Sequence, residues 1–156
     1  INQNEEGSLE KWPLVIFLLS GIICLSFSFS YHMTNSISAK VNNIVNRFDY
    51  CGISILIVGS CFPPYFYYFY FNLFARYFYL GFISVFGLIV FFLSLKEEFY
   101  LSSWRFIRGV VFIAMGLSAG FPIIHISITG INGIGSPRYL FWYIGGFSYI
   151  FGTIIF

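Results

Sequence analysis

Trp12-Pro-Leu-Val-Ile-Phe-Leu-Leu-Ser-Gly-Ile-Ile-Cys-Leu-Ser-Phe-Ser-Phe-Ser-Tyr31-His32 decides the reading of this chain. From Trp12 to Tyr31 it carries no Asp, Glu, Lys or Arg. Its length matches the ~20 residues that a helix needs to cross the hydrocarbon core of a bilayer. The run ends on His32. Seventeen residues later Asp49-Tyr50-Cys51-Gly52-Ile53 opens a second apolar run. A histidine and a carboxylate thus stand at facing ends of two consecutive spans. Ionisable groups at membrane depth are costly, so they are functional candidates by default.

Composition supports the same class. Hydrophobic residues are 58 % of the chain and charged residues 9 %, whereas a soluble domain carries roughly 25 % charged residues. There is too little polar side chain to cover a water-facing surface. A net charge of +2, without a basic stripe or zinc-finger spacing, leaves no nucleic-acid footprint. Cys24, Cys51 and Cys61 all lie in or beside apolar runs, and their odd number argues against a disulfide framework. They read as small buried hydrophobes.

Outward from the first span, five apolar blocks read as membrane helices: Trp12–Tyr31, Tyr50–Phe71, Tyr77–Leu95, Phe106–Ser127 and Tyr139–Phe156. Residues 1–11 form a polar extramembrane segment. The fold class is an all-α membrane bundle, because the blocks are continuously apolar rather than alternating as barrel strands are. The first block is too long for a signal peptide, and Glu5, Glu6 and Glu10 precede it in place of a basic region. Pro63-Pro64 is expected to break or kink the second block.

Helix parity fixes sides. With Glu5 and Glu6 on side A, His32 and Asp49 share side B, and His125 lies toward side A. A 20-residue helix spans ~30 Å, so His125 is excluded from any small site with His32. Side B holds Lys40, Arg47, Lys96, Arg105 and Arg108, and side A holds Lys11, Arg76 and Arg138. The positive-inside rule then assigns side B to the cytoplasm.

Ser28 and His32 are four residues apart and stack on one helix face. Asp49, read as opening the second span, has its charge favoured by the helix dipole. An imidazole and a carboxylate on adjacent helix ends are half of a metal site, or a base with its orienter. The plainer alternative is that His32 marks the interface and Asp49 caps a helix. Two donors are too few for zinc, which takes four, or three plus water. His125, after Pro122-Ile-Ile, either lines a polar cavity or hydrogen-bonds within the bundle. Gly116-Leu-Ser-Ala-Gly120 is a small-xxx-small pattern that serves packing within the chain or dimerisation. Lys96, Glu97, Glu98 and Arg105 read as a solvated loop, and Trp104 and Trp142 as interfacial belts.

Together, Ser28-x-x-x-His32, Phe48-Asp49-Tyr50-x-Gly52-Ile53, Arg108-x-x-x-Phe112 and Gly116-x-Ser118-x-x-x-Pro122-x-x-His125 resemble the progestin and adipoQ receptor family. That family includes adiponectin receptors, yeast and plant relatives and the bacterial hemolysin III proteins. The resemblance covers Lys11–Phe156 in order. It implies a seven-helix receptor-like protein with a cytosolic N-terminus, whose second to sixth helices are the five blocks. It also implies a zinc ion near the cytosolic helix ends, held directly by His32 and by two histidines of a seventh helix. Asp49 would reach the metal through a bound water, with Ser28 beside the site. Zinc lowers the pKa of its water to near ~7, and Asp49 would take the proton. The implied reaction is hydrolysis of a lipid amide of the ceramide type.

Two departures stand out. The seventh helix falls outside this chain, and Asn35-Ser36-Ile37-Ser38 stands where members often carry Cys-His-Ser. The chain therefore reads as a fragment, inactive alone, with the bundle incomplete. Membrane lipid and a lipid or protein ligand are the expected partners. The rivals are a non-enzymatic protein, pore-forming or regulating metal and lipid homeostasis, and a transporter. The transporter is disfavoured by the absence of a repeated pair of Gly/Pro-broken helices.

Overall fold

A computed structural model describes residues 10–34, 38–129, 144–148 and 151–152. Regular structure among them is wholly helical. The elements are α1 (Trp12–Thr34), α2 (Ala39–Tyr68), α3 (Leu73–Ser94), α4 (Glu97–Tyr100), a 3-10 turn (Ser102–Trp104), α5 (Arg105–Ser118) and α6 (Phe121–Thr129). Four stretches are long and apolar enough to cross a membrane: Trp12–Thr34, Lys40–Tyr68, Leu73–Ser94 and Ser102–Ile126. The expected fifth span, 139–156, lies mostly outside the described residues, as does Trp142; residues 144–148 and 151–152 are helical.

In α1, Pro13 stands in the first turn, where a missing N–H costs no ladder bond. Several of its hydroxyls bond back to carbonyls of the same helix. Ser26 donates to the Ile22 carbonyl, Ser30 to Ser26 and Thr34 to Ser30, each at 2.7 Å. Satisfying polar groups within the segment is what lipid demands. Most large side chains of α1 are exposed, among them Leu18, Ile22 and Leu25.

Helix α2 begins eleven residues earlier than the expected Tyr50. Ser38 is its N-cap, with extended backbone and a side chain that accepts from Val41 N at 3.3 Å. Hydropathy marks only what enters lipid, whereas capping decides where a helix starts. At 30 residues, α2 is about 45 Å long, and its polar first third projects past the apolar core. Pro63-Pro64 does not break it: the helix runs on to Tyr68 and closes with Phe69 N donating to Tyr65 O at 3.3 Å. The prolines remove two ladder donors near the end, where Tyr65, Phe66 and Phe69 are buried and hold the last turn.

The third span also starts early, at Leu73, because Asn72 Oδ1 caps Ala75 N at 3.1 Å. Arg76 consequently lies inside the helix. The fourth block is not continuous. It divides into α5 and α6 at Ala119-Gly120, since Pro122 has no N–H for the carbonyl of Ser118. Buried Tyr65 donates its hydroxyl to the carbonyl of Ala119 at 2.8 Å, satisfying a group freed by the break.

Helix α2 sits between its neighbours. Gly52 and Gly59 face α1, and a Cβ at Gly52 would stand 3.0 Å from Cys24 Cα. Gly59 meets Ser20, so small residues set the close approach of this antiparallel pair. Toward α3, Gly87 receives Val58. Toward α4 and α5, Tyr50, Ile53 and Ile57 pack on Phe99, Phe112 and Met115.

Candidate functional site

Ser28 and His32 come from the last turns of α1, and Asp49 from α2. Asp49 is the eleventh residue of its helix. It therefore neither caps α2 nor feels its N-terminal dipole, which falls off within the first turn; that expectation is corrected. Asp49 is half-buried, and its carboxylate is within electrostatic reach of Cys24 on α1. The Phe27 and Phe48 rings meet at 5.5 Å between centroids. Ser28 and Asp49, one residue on from each, thus share a level. His32 stands one turn further toward side B, exposed, with its ring 5.2 Å from that of Tyr31.

The three side chains leave the α1–α2 pair on one flank. At about 100° per residue, Ser28 and His32 lie about 40° and 80° to one side of Cys24, which faces α2. Asp49 lies about 60° from Gly52, which faces α1. In an antiparallel pair these rotations carry both sets to the same side. Asn42 and Asn46 follow at i−7 and i−3 from Asp49, on the same stripe of α2. Asn46 is buried, and the Oδ1 of Asn42 is buried without a hydrogen-bond partner. Neither asparagine was singled out from the sequence, because residues 39–49 read as a connection. The i, i+4, i+7 spacing of Asn42, Asn46 and Asp49 was the available signal.

The opposite flank carries a groove of about 510 Å³ between α1, α2 and α3, lined by residues including Ile16, Ile23, Ile55, Phe62 and Leu88. Its serines are spent within their helices: Ser20 donates to Phe17 O, Ser54 to Cys51 O and Ser84 to Leu80 O. It holds no chemistry. Two arginines close side B. Arg108, only 8 % exposed, donates to Phe99 O at 2.6 Å and Leu101 O at 3.1 Å, with its guanidinium 5.2 Å from the Tyr50 ring centroid. Arg47 pairs with Glu97 at 2.9 Å and donates to Leu95 O at 3.4 Å. The expected solvated loop is thus α4 and a 3-10 turn clamped to α2. Half-buried Trp104 packs into the same core.

His125 makes contacts within the bundle. Its Nδ1 lies 2.8 Å from the hydroxyl of Tyr79, and its ring meets those of Phe69 and Tyr79. Ala119 of the small-residue pattern packs inside the chain, with Cys61, Tyr65 and Leu80.

Among the described residues no three His, Cys, Asp or Glu side chains form a metal-binding group. His32 and Asp49 have suitable donor chemistry but fall short in number.

These features define a multi-pass α-helical membrane protein with a polar stripe at one end of its first helix pair. Residues 2–156 match the Haemolysin-III related family model. The chain is 35 % identical over 149 residues to the adiponectin receptor protein of Drosophila melanogaster, covering 94 % of this chain and 34 % of that protein. It is 34 % identical over 146 residues to progestin and adipoQ receptor-like protein 1 of Caenorhabditis elegans, covering 92 % and 34 %. To heptahelical transmembrane protein 5 of Arabidopsis thaliana it is 37 % identical over 117 residues, covering 75 % and 31 %. The chain belongs to the Haemolysin-III related family, together with the adiponectin and progestin/adipoQ receptors. It spans about a third of the length of these relatives.

Proposed function

We propose that the full-length protein is receptor-like and carries a zinc-dependent lipid-amide hydrolase site at the side-B end of α1 and α2. The observation that supports this reading is the placement of Ser28, His32 and Asp49 on one flank, continued by Asn42 and Asn46. His32 would supply one imidazole donor, and two further imidazoles would come from outside this chain. When bound, zinc would supply Lewis-acid polarisation of a carbonyl and activation of water. Half-buried Asp49 on α2 accepts a proton from an attacking water. Ser28, at the same level, offers a hydroxyl to orient the substrate. Arg108 ties α5 to the carbonyls of Phe99 and Leu101 and lies 5.2 Å from the Tyr50 ring centroid of α2, next to Asp49 in sequence.

The test uses the full-length protein. His32→Ala is expected to lose most of its zinc; unchanged metal content would sink the metal role. Asp49→Ala is expected to keep zinc and lose ceramide hydrolysis by about 10²- to 10⁴-fold. Full hydrolysis by that variant would remove Asp49 as the base. A wild-type protein that binds zinc but hydrolyses no lipid amide would favour the non-enzymatic, regulatory alternative.

A further inference from the structure

At the opposite end of α2 from Asp49, Arg76 is 8 % exposed, and its Nε is buried without a hydrogen-bond partner. No carboxylate lies within ion-pair distance of it among the described residues. The Nε of Arg108 is likewise buried without a partner, but Arg108 donates through Nη1 to two carbonyls, whereas no hydrogen bond from the guanidinium of Arg76 is found among the described residues. Instead, the guanidinium of Arg76 is packed among rings: Phe66 at 4.5 Å, Tyr77 at 5.2 Å and Tyr70 at 5.8 Å. Ring faces attract a cation but neutralise no charge.

Arg76 also occupies an electrostatically unfavourable place on its helix. Arg76 lies in the first turn of α3, whose cap is Asn72, so a cation stands at the positive end of the helix dipole. The same helix end attracts an anion. Buried charge without a partner is costly. Around it gather the amphipathic rings that mark a membrane boundary. Trp12 stacks edge-on to Phe66 at 5.0 Å, and Tyr67 donates to Glu10 O at 2.9 Å. Arg76 therefore lies at the depth of lipid phosphates, and its planar fork matches two phosphate oxygens.

We propose that Arg76, caged by Phe66, Tyr70 and Tyr77 at the start of α3, binds the phosphate of a membrane phospholipid on the face where α1 begins. The chemistry recognised is a phosphodiester monoanion, and the aromatic cage orients the guanidinium toward it. This site is independent of the one on the opposite face.

The test titrates the full-length protein in detergent with phosphatidylglycerol, with diacylglycerol of the same chains and with inorganic phosphate, reading the shift in Tm. Phosphatidylglycerol is expected to raise Tm, and the other two to leave it unchanged. Arg76→Gln should weaken the apparent affinity by at least about tenfold. Arg76→Lys, which keeps the charge but not the fork, should fall between. Lys96→Gln, on side B, should match the wild type. An equal response in Arg76→Gln overturns the assignment, as does an equal response to diacylglycerol. A response to inorganic phosphate alone would make this a soluble-anion site and overturn the lipid source. If Arg76→Gln does not fold, Arg76→Lys decides: indistinguishable affinity would refute the forked contact.

Discussion

At the scale of single residues, two contacts carry packing that hydropathy does not register. Gly52 allows α1 and α2 to approach, since a Cβ there would meet Cys24 Cα at 3.0 Å. Gly52→Val should force the helices apart and cost about 1–3 kcal/mol, as overpacking does. Gly81 has open space around its Cβ direction, so Gly81→Ala should leave Tm unchanged or raise it. Thermal unfolding of the two variants checks the contrast, and equal destabilisation would refute it. Tyr65→Phe removes the donor to Ala119 O and leaves that carbonyl unsatisfied. A loss of about 1–3 kcal/mol is expected. His32 and Asp49 were legible as candidates because ionisable groups are costly in lipid, and Ser28 because it stands four residues from His32 on one helix face. Asn42 and Asn46 were not, because amides in a polar stretch look like loop until a cap makes that stretch helical.

At the scale of elements, the differences lie at helix ends. The second and third helices start early because Ser38 and Asn72 cap them, and the fourth is divided because Pro122 lacks a donor. Apolar length alone encodes none of these. The turn between α3 and α5 is held by two arginines of unequal weight. Arg108 is buried and bonded to two carbonyls, whereas Glu97, the partner of Arg47, is 84 % exposed. Arg108→Ala should therefore destabilise the protein by about 1–3 kcal/mol. Glu97→Ala should change it by less than about 1 kcal/mol. Denaturation of the two variants side by side measures the difference; a larger effect at Glu97 would contradict the burial argument.

At the scale of the whole molecule, alternating spans put Lys40 and Lys96 on one face of the membrane and Lys11 on the other. All three are exposed. A membrane-impermeant amine reagent should label Lys40 and Lys96 from the same side and Lys11 only from the opposite side; joint labelling of Lys11 and Lys40 would refute the topology. That topology, the all-α membrane class and the separation of His125 from His32 followed from the sequence by itself. Transfer of an apolar run into lipid depends on its composition and length, both of which are written linearly. The tertiary structure decided which flank each side chain occupies. It put Asp49 deep in α2 rather than at its start, joined it to an asparagine stripe and seated His125 against Tyr79. It also caged Arg76 among rings, with no ion-pair partner among the described residues. Such outcomes depend on where helices are capped and which small residues let them touch, and those are contacts between residues far apart in the chain.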